Sequence, residues 1–228
     1  NKTHSMCVSL KKSLPDSFFM DGSALKDQEE VEILGIKFSK SLGWRKHIMQ
    51  VAKRASQRLS VLRRTKPYFS AEQLLSLYKA QVRPVMEYCS HIWGGSSPTN
   101  LEVFNKLQHR VCKIIDKPII SNQLWSLQSR RDVAALTVFY RLVHGKCSSE
   151  LSCLLPDFNQ PKRHTRQTVR QHSLTLNVGT CRSETFKQSF IPRTTVLWNK
   201  LPQSCFPKEY NVQVFKSKIN KLLTSEAN

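Results

Sequence analysis

Acidic residues are scarce in this chain, and their absence is local as well as general. Asp and Glu number 16 against 36 Lys and Arg, giving a formal charge of +20 and a pI near 10.0. Between Lys37 and Lys66 there is no acid at all, while Lys37, Lys40, Arg45, Lys46, Lys53, Arg54, Arg58, Arg63, Arg64 and Lys66 all lie there. This balance points to a polyanionic partner, either nucleic acid or an anionic membrane surface. No run approaches the roughly 18 uninterrupted apolar residues of a bilayer-crossing helix, so no membrane span is expected. The chain opens on Asn1, and no charged start leads into an apolar signal core, which reads as no secretory leader and fits a piece of a longer polypeptide.

The motifs of common catalysts are also missing. There is no GxSxG elbow, no phosphate-binding glycine loop and no HExxH helix. Nucleotidyl transfer by two metals needs clustered carboxylates. Here Asp16, Asp21, Asp27, Asp116, Asp132 and Asp157 are isolated, and the adjacent Glu29 and Glu30 would face opposite sides of a strand. The expectation is a chain that is not itself a catalyst and carries no cofactor or metal. Seven cysteines, an odd number without a CxxC hook, read as reduced thiols of an intracellular protein. His144, Cys147, Cys153 and His164 fit no compact zinc spacing; His144 followed by Gly145 reads as a helix end.

What is present is enough apolar material, 39% of residues, for a folded core. From Trp44 the pattern turns helical: Trp44, Ile48, Val51, Ala52, Ala55, Leu59 and Leu62 share one face. Lys46, Lys53 and Arg64 point the opposite way, with Arg54 and Arg58 along one edge and Arg45 and Arg63 along the other. A helix without acidic partners repels itself at spacings of three and four, a cost that a bound polyanion removes. The candidate nucleic-acid-binding set is therefore Lys37, Arg45, Lys46, Lys53, Arg54, Arg58, Arg63, Arg64 and Lys66. Trp44, Tyr68 and Trp93 could stack on unpaired bases, although core positions suit their spacing better.

Upstream, the runs Met6–Leu10, Ser17–Met20 and Val31–Phe38 read as strands, with a tight turn at Asp21-Gly22 and, at Gly35, a bulge or a place where another backbone approaches closely. Downstream of the basic helix, which Pro67 ends, a second helix starts at a Ser70/Gln73 capping box, kinks at Pro84 and stops at Gly94-Gly95. A third starts at a Thr99/Glu102 capping box and buries Leu101, Phe104, Leu107, Val111, Ile114 and Ile115. A fourth runs from Ser126 to His144. Residues 146–185 are polar and basic (Lys162, Arg163, Arg166, Arg170) and read as a linker or a secondary nucleic-acid contact. Residues 186–228 read as two short helices joined at Leu201-Pro202. The fold class expected is mainly α: a small N-terminal β-hairpin or three-stranded sheet, a helical bundle and a C-terminal helical tail.

Several weak motifs, in order, resemble one family. Val31-Glu32-Ile33-Leu34-Gly35-Ile36, Trp44, His47-Ile48 and Val51 resemble the stretch after the catalytic palm in reverse transcriptases of jockey-like non-LTR (LINE-type) retrotransposons. Tyr78, Pro84 to Tyr88, Ile92-Trp93-Gly94, Leu107-Gln108, Arg110-Val111 and Leu127 through Arg130-Arg131 to Tyr140 follow in that family's order. Ser189-Phe190-Ile191-Pro192-Arg193 and Trp198-Asn199-Lys200-Leu201-Pro202 look like its closing segment. The resemblance implies an end of palm with a primer-grip element at 1–40, a basic thumb-like bundle at 41–145, a linker at 146–185 and a helical tail at 186–228. It further implies that Leu34 and Gly35 match the primer-grip turn, that Lys2 is a possible remnant of the palm's leaving-group lysine, and that magnesium belongs to the parent polymerase. RNA and DNA, as duplex or hybrid, would be the partners, no membrane would be involved, and the location would be nuclear. Competing expectations are a decayed or repurposed protein-interaction scaffold, and an intact polymerase whose palm lies upstream.

Overall fold

The computed structural model describes residues 3–8, 18–159 and 172–225. Lys2, most of the Met6–Leu10 and Ser17–Met20 connection, and the linker cations Lys162, Arg163, Arg166 and Arg170 lie outside them. The chain divides into two compact units, one of residues 1–86 and 96–114, the other of residues 87–95 and 115–228. The architecture is mainly α with small N-terminal hairpins.

In the first unit, β1 (Phe19–Met20) and β2 (Ser23–Ala24) close around Asp21 and Gly22, whose φ of 50° and 74° fit the expected tight turn. A second hairpin pairs β3 (Glu30–Ile33) with β4 (Ile36–Ser39), placing Ile33 opposite Ile36. Leu34 and Gly35 are thus a two-residue turn with φ of 49° and 80°, the positive pair that such turns require. The run that the residue pattern read as one strand is folded back on itself at Leu34-Gly35, where the family resemblance had implied a turn. The three-stranded alternative gives way to two separate two-stranded hairpins.

Helix α1 (Arg45–Thr65) buries His47, Ile48, Val51, Ala52, Ala55, Leu59 and Leu62, the stripe read from the sequence with His47 added and Trp44 left half-buried just before the helix. Lys66–Tyr68 forms a single 3-10 turn around Pro67. Helix α2 (Ala71–Leu77) starts with both halves of the Ser70/Gln73 capping box in place. The kink at Pro84 takes the form of a π-helical turn, Tyr78–Val82, before α3 (Arg83–Glu87). Pro84 offers no N–H, and its ring would strike the carbonyl of Ala80 in a regular helix, so the turn widens. The Arg58 guanidinium donates to the Gln81 carbonyl at 2.7 Å beside this opening.

The third expected helix starts earlier than its presumed Thr99 cap. In α5 (Pro98–Ile115) the Ser97 hydroxyl accepts the Asn100 N–H at 3.4 Å, and Pro98 takes the first helical position, where its missing donor costs nothing. Glu102 instead accepts from the Asn105 amide at 2.9 Å.

In the second unit, Cys89 at φ 49° breaks what was expected to be continuous helix, and α4 (Ser90–Trp93) follows as a separate turn. Gly95 lies so close to its neighbours that an added Cβ would sit 1.9 Å from the Gln188 carbonyl oxygen, which no side chain tolerates. After the short α6 (Pro118–Ser121), helix α7 (Leu127–Val143) starts beside the expected Ser126, whose hydroxyl proves to cap it by accepting the Ser129 N–H at 3.0 Å, and ends with Gly145 at φ 63°. Then come α8 (Ser149–Ser152), α9 (Glu184–Lys187), α10 (Phe190–Asn199) and α11 (Val212–Ser225).

The core of this unit surrounds Trp198, which is fully buried among Phe139, Tyr140, Phe206 and Phe215. Phe139 meets the indole edge-on at 5.3 Å and Phe206 at 4.9 Å. The indole N–H donates to the Leu174 carbonyl at 2.8 Å, and the Asn199 side chain bonds both the N–H and the carbonyl of Leu176. Residues 172–176, expected to belong to a solvated linker, are therefore tied into the core, with His172, Thr175 and Leu176 buried.

Buried neutral histidines make the fold sensitive to acid. His47 accepts the Lys37 N–H through Nδ1 at 3.3 Å, and His172 bonds the Trp198 carbonyl through Nε2 at 2.9 Å. Burial holds His47, His91 and His172 below the ordinary histidine range, helped at His47 by Arg54 and at His91 by Arg193. The unfolded chain therefore binds protons first as pH falls through about 6.5, and stability present above that pH is lost below it, by at most about 1.4 kcal/mol per histidine per pH unit. Asp132, raised by burial, shifts in the opposite sense and offsets part of this loss. Thermal unfolding followed by circular dichroism should show a lower midpoint at about pH 5.5 than at about pH 7.5; equal midpoints would contradict the neutral assignment.

Candidate nucleic-acid interface

The polar side of α1 carries its cations outward. Arg45, Lys46, Lys53, Arg54, Arg58, Arg63, Arg64 and Lys66 are all exposed, whereas Lys37, on β4, is half-buried. The apolar stripe behind them fixes which way they face.

The expectation that this helix has no acidic partner is overturned at its first turn. Glu30 on β3 pairs with Lys46 and lies 3.5 Å from the Lys37 ammonium. Residues 16 apart in sequence meet because the β3–β4 hairpin returns the chain beside the helix start. The pair answers a local need, since α1 has no acidic residue in its first turn to balance the positive helix end. The Lys46 hydrogen bond holds the Glu30 carboxyl below its usual range, and the same contact raises Lys46. Lys40 is engaged likewise, by Asp27 and by Glu29 at 2.9 Å. Exposed pairs of this kind contribute little stability, so they restrain these cations weakly.

Arg58 is also partly committed, to the π-turn carbonyl. Five further members of the sequence-derived set, Arg45, Lys53, Arg54, Arg63 and Arg64, form no ion pair with a carboxylate among the described residues. Arg63 and Arg64 occupy the last turn of α1, where positive charge also complements the helix dipole.

A second basic row was missed in the sequence. Lys106, Arg110 and Lys113 stand exposed on α5, opposite its buried Phe104, and Arg110 reaches the Ser56 hydroxyl of α1 at 3.4 Å. Their spacing of four and three residues was the available signal. The contact brings a second set of cations beside the first.

The Leu34-Gly35 turn projects into solvent, with Leu34 85% exposed and Ile33 54% exposed beside it. Of the three aromatic residues considered for stacking, Trp93 is fully buried and donates its indole N–H to the Tyr88 carbonyl at 3.0 Å. Trp44 packs edge-on against Phe38 at 5.4 Å. Tyr68, by contrast, is 82% exposed, contrary to the core reading.

In the second unit the arginines of the resemblance motifs are structural. Arg130 forms a fork with Glu87, one arm at 2.9 Å. Arg131 is buried and donates to Gln128 at 2.8 Å, while Arg193 donates to the His91 carbonyl at 3.1 Å and lies 4.0 Å from Asp132. Burial lowers both Arg131 and Arg193 from the usual guanidinium range.

Magnesium, which the family resemblance implies for a parent polymerase, does not fit the residues present. Among the described residues no three His, Cys, Asp or Glu side chains are grouped to hold a metal ion. The seven cysteines are all unbridged. No helix of the described residues is long and apolar enough to cross a membrane.

No protein-family model matches the chain, and no solved structure matches it. It is 21% identical over 145 residues to a probable RNA-directed DNA polymerase from transposon X-element of Drosophila melanogaster, an alignment covering 61% of this chain. The chain spans about 15% of that relative's length. This similarity supports a relationship to reverse transcriptases.

Proposed function

We propose that the chain is a non-catalytic, nucleic-acid-holding part of a jockey-like non-LTR retrotransposon reverse transcriptase. In this reading α1 lies thumb-like along template-primer duplex or RNA-DNA hybrid and grips it through phosphates, in the nucleus. Leu34 and Gly35 serve as the primer-grip turn, and the divisions 1–40, 41–145, 146–185 and 186–228 retain the roles given by the family order. The observation that carries it is the exposed set Arg45, Lys53, Arg54, Arg63 and Arg64, mounted on a buried apolar stripe and unmatched by carboxylates among the described residues. Phosphate contacts of this kind give affinity without sequence choice, and a hybrid's deep, narrow groove excludes side chains from its base edges.

Salt titration of hybrid binding, followed by fluorescence anisotropy, tests the proposal. If these five cations each neutralise one phosphate, the plot of log K against log salt on duplex DNA should have a slope of about −4.5, shallower on single strands. Glu30→Gln, which releases Lys46 and Lys37, should strengthen binding and steepen the slope. A slope near zero in both proteins would refute phosphate gripping. The second reading, a protein-interaction scaffold, draws support from the engagement of Lys46, Lys37 and Arg58 within the fold. Absence of any shift with generic duplex at moderate salt would favour it.

A further inference from the structure

We propose that Tyr68 is a stacking platform for an unpaired base, so that the preferred ligand is a duplex ending in a single-stranded overhang rather than a blunt duplex. This rests on the phosphate-gripping reading of α1 and adds a ligand feature to it.

The ring is presented rather than packed: at 82% exposure Tyr68 is far more open than Trp44 or Trp93, the other two aromatics considered for stacking. Its mount is rigid. Pro67 fixes the backbone of the turn, the Thr65 hydroxyl donates to the Leu62 carbonyl at 3.0 Å, and the Phe69 N–H closes onto the Lys66 carbonyl at 3.4 Å. On such a mount only the two side-chain torsions of the tyrosine remain to be ordered when a base lies on it. Charge is arranged to deliver one. Arg63, Arg64 and Lys66 precede the ring within five residues, all exposed, and the nearest carboxylate in sequence is Glu72, in the first turn of α2.

The position also matters. Tyr68 comes just after the C-terminal end of a 21-residue helix, which is roughly 30 Å long. Phosphates held along α1 lead a strand toward this turn, where the cations continue but an aromatic face replaces the helix surface. A paired base hides its faces in the stack, whereas an unpaired one leaves a face available. Any of the four bases can occupy such a platform, which matches phosphate gripping in being indifferent to sequence.

The test compares the 228-residue chain with Tyr68→Ala and Tyr68→Trp, using labelled blunt duplex, the same duplex with a short overhang, and that overhang carrying abasic sites. The wild-type chain should prefer the base-bearing overhang over the blunt and abasic probes by about five- to a hundredfold. Tyr68→Ala should lose that preference while binding blunt duplex within about twofold of wild type, and Tyr68→Trp should keep it. Circular dichroism of the variants confirms that this exposed substitution leaves the fold intact. Blunt and overhang probes bound equally by wild type, or a preference that survives Tyr68→Ala, would overturn the stacking site and leave phosphate gripping standing. Failure to bind any probe would overturn both.

Discussion

Changing Lys53, Arg54 and Arg64 together to Glu should weaken duplex or hybrid binding by about 10²- to 10³-fold near 0.1 M salt, since each lost phosphate contact forfeits close to one log unit there. The salt slope should become shallower by about three. These residues are the right ones to reverse because each is exposed on α1 and lacks a carboxylate partner among the described residues. Lys46, the choice that periodicity alone suggests, is held by Glu30, and its reversal would disturb the hairpin as well. Because all three side chains are exposed and none belongs to the buried stripe, the helical circular dichroism signal should be unchanged. Affinity equal to wild type, with the fold intact, would remove the basic face from consideration.

Trp198→Ala should be the most damaging single substitution in the second unit, with a cost of about 3–5 kcal/mol. The mutation empties the centre of the aromatic cluster and leaves the Leu174 carbonyl without its indole donor. It also loosens the neighbouring Asn199, whose two bonds hold Leu176. The thermal midpoint of that unit should fall by about 6–20 °C. Trp198→Phe keeps most of the ring contact and should cost less, because mainly the hydrogen bond is lost. A loss below about 1 kcal/mol for the alanine variant would mean that the cluster is not what holds residues 172–176 in place.

The long helices were legible in the sequence because period and caps agreed. The apolar stripe of α1, the Ser70/Gln73 box and the span of α7 each show in local residue spacing alone. An N-terminal hairpin was expected and the family resemblance marked Leu34-Gly35 as a turn, but the residue pattern alone read Val31–Phe38 as one run, because Leu34 adopts a positive φ that a leucine rarely takes and that no turn propensity announces. The Lys46–Glu30 pair was hidden for the same reason: it exists only once the hairpin returns the chain. Tyr68 was misassigned to the core because its aromatic character suggested burial, while the local cue, Pro67 just before it, marked an exposed turn. The linker reading failed at His172–Leu176, where a polar-looking stretch is fixed by backbone bonds from Asn199 and Trp198 rather than by apolar periodicity. For the candidate interface, the cations themselves were readable, but which were already occupied was not.

The route of the chain between its two units has a practical consequence for dissection. Residues 87–95 belong with residues 115–228, yet residues 96–114 return to the first unit. No single peptide-bond cleavage can therefore separate them. A shortened protein ending at residue 114 would retain Trp93 and Gly95 stripped of α7 and the Gln188 backbone against which this loop is built. One beginning at residue 115 would lack Glu87 and strand Arg130 without its fork partner. Two-piece complementation should accordingly work best with breaks inside surface connections of one unit rather than at the apparent boundary.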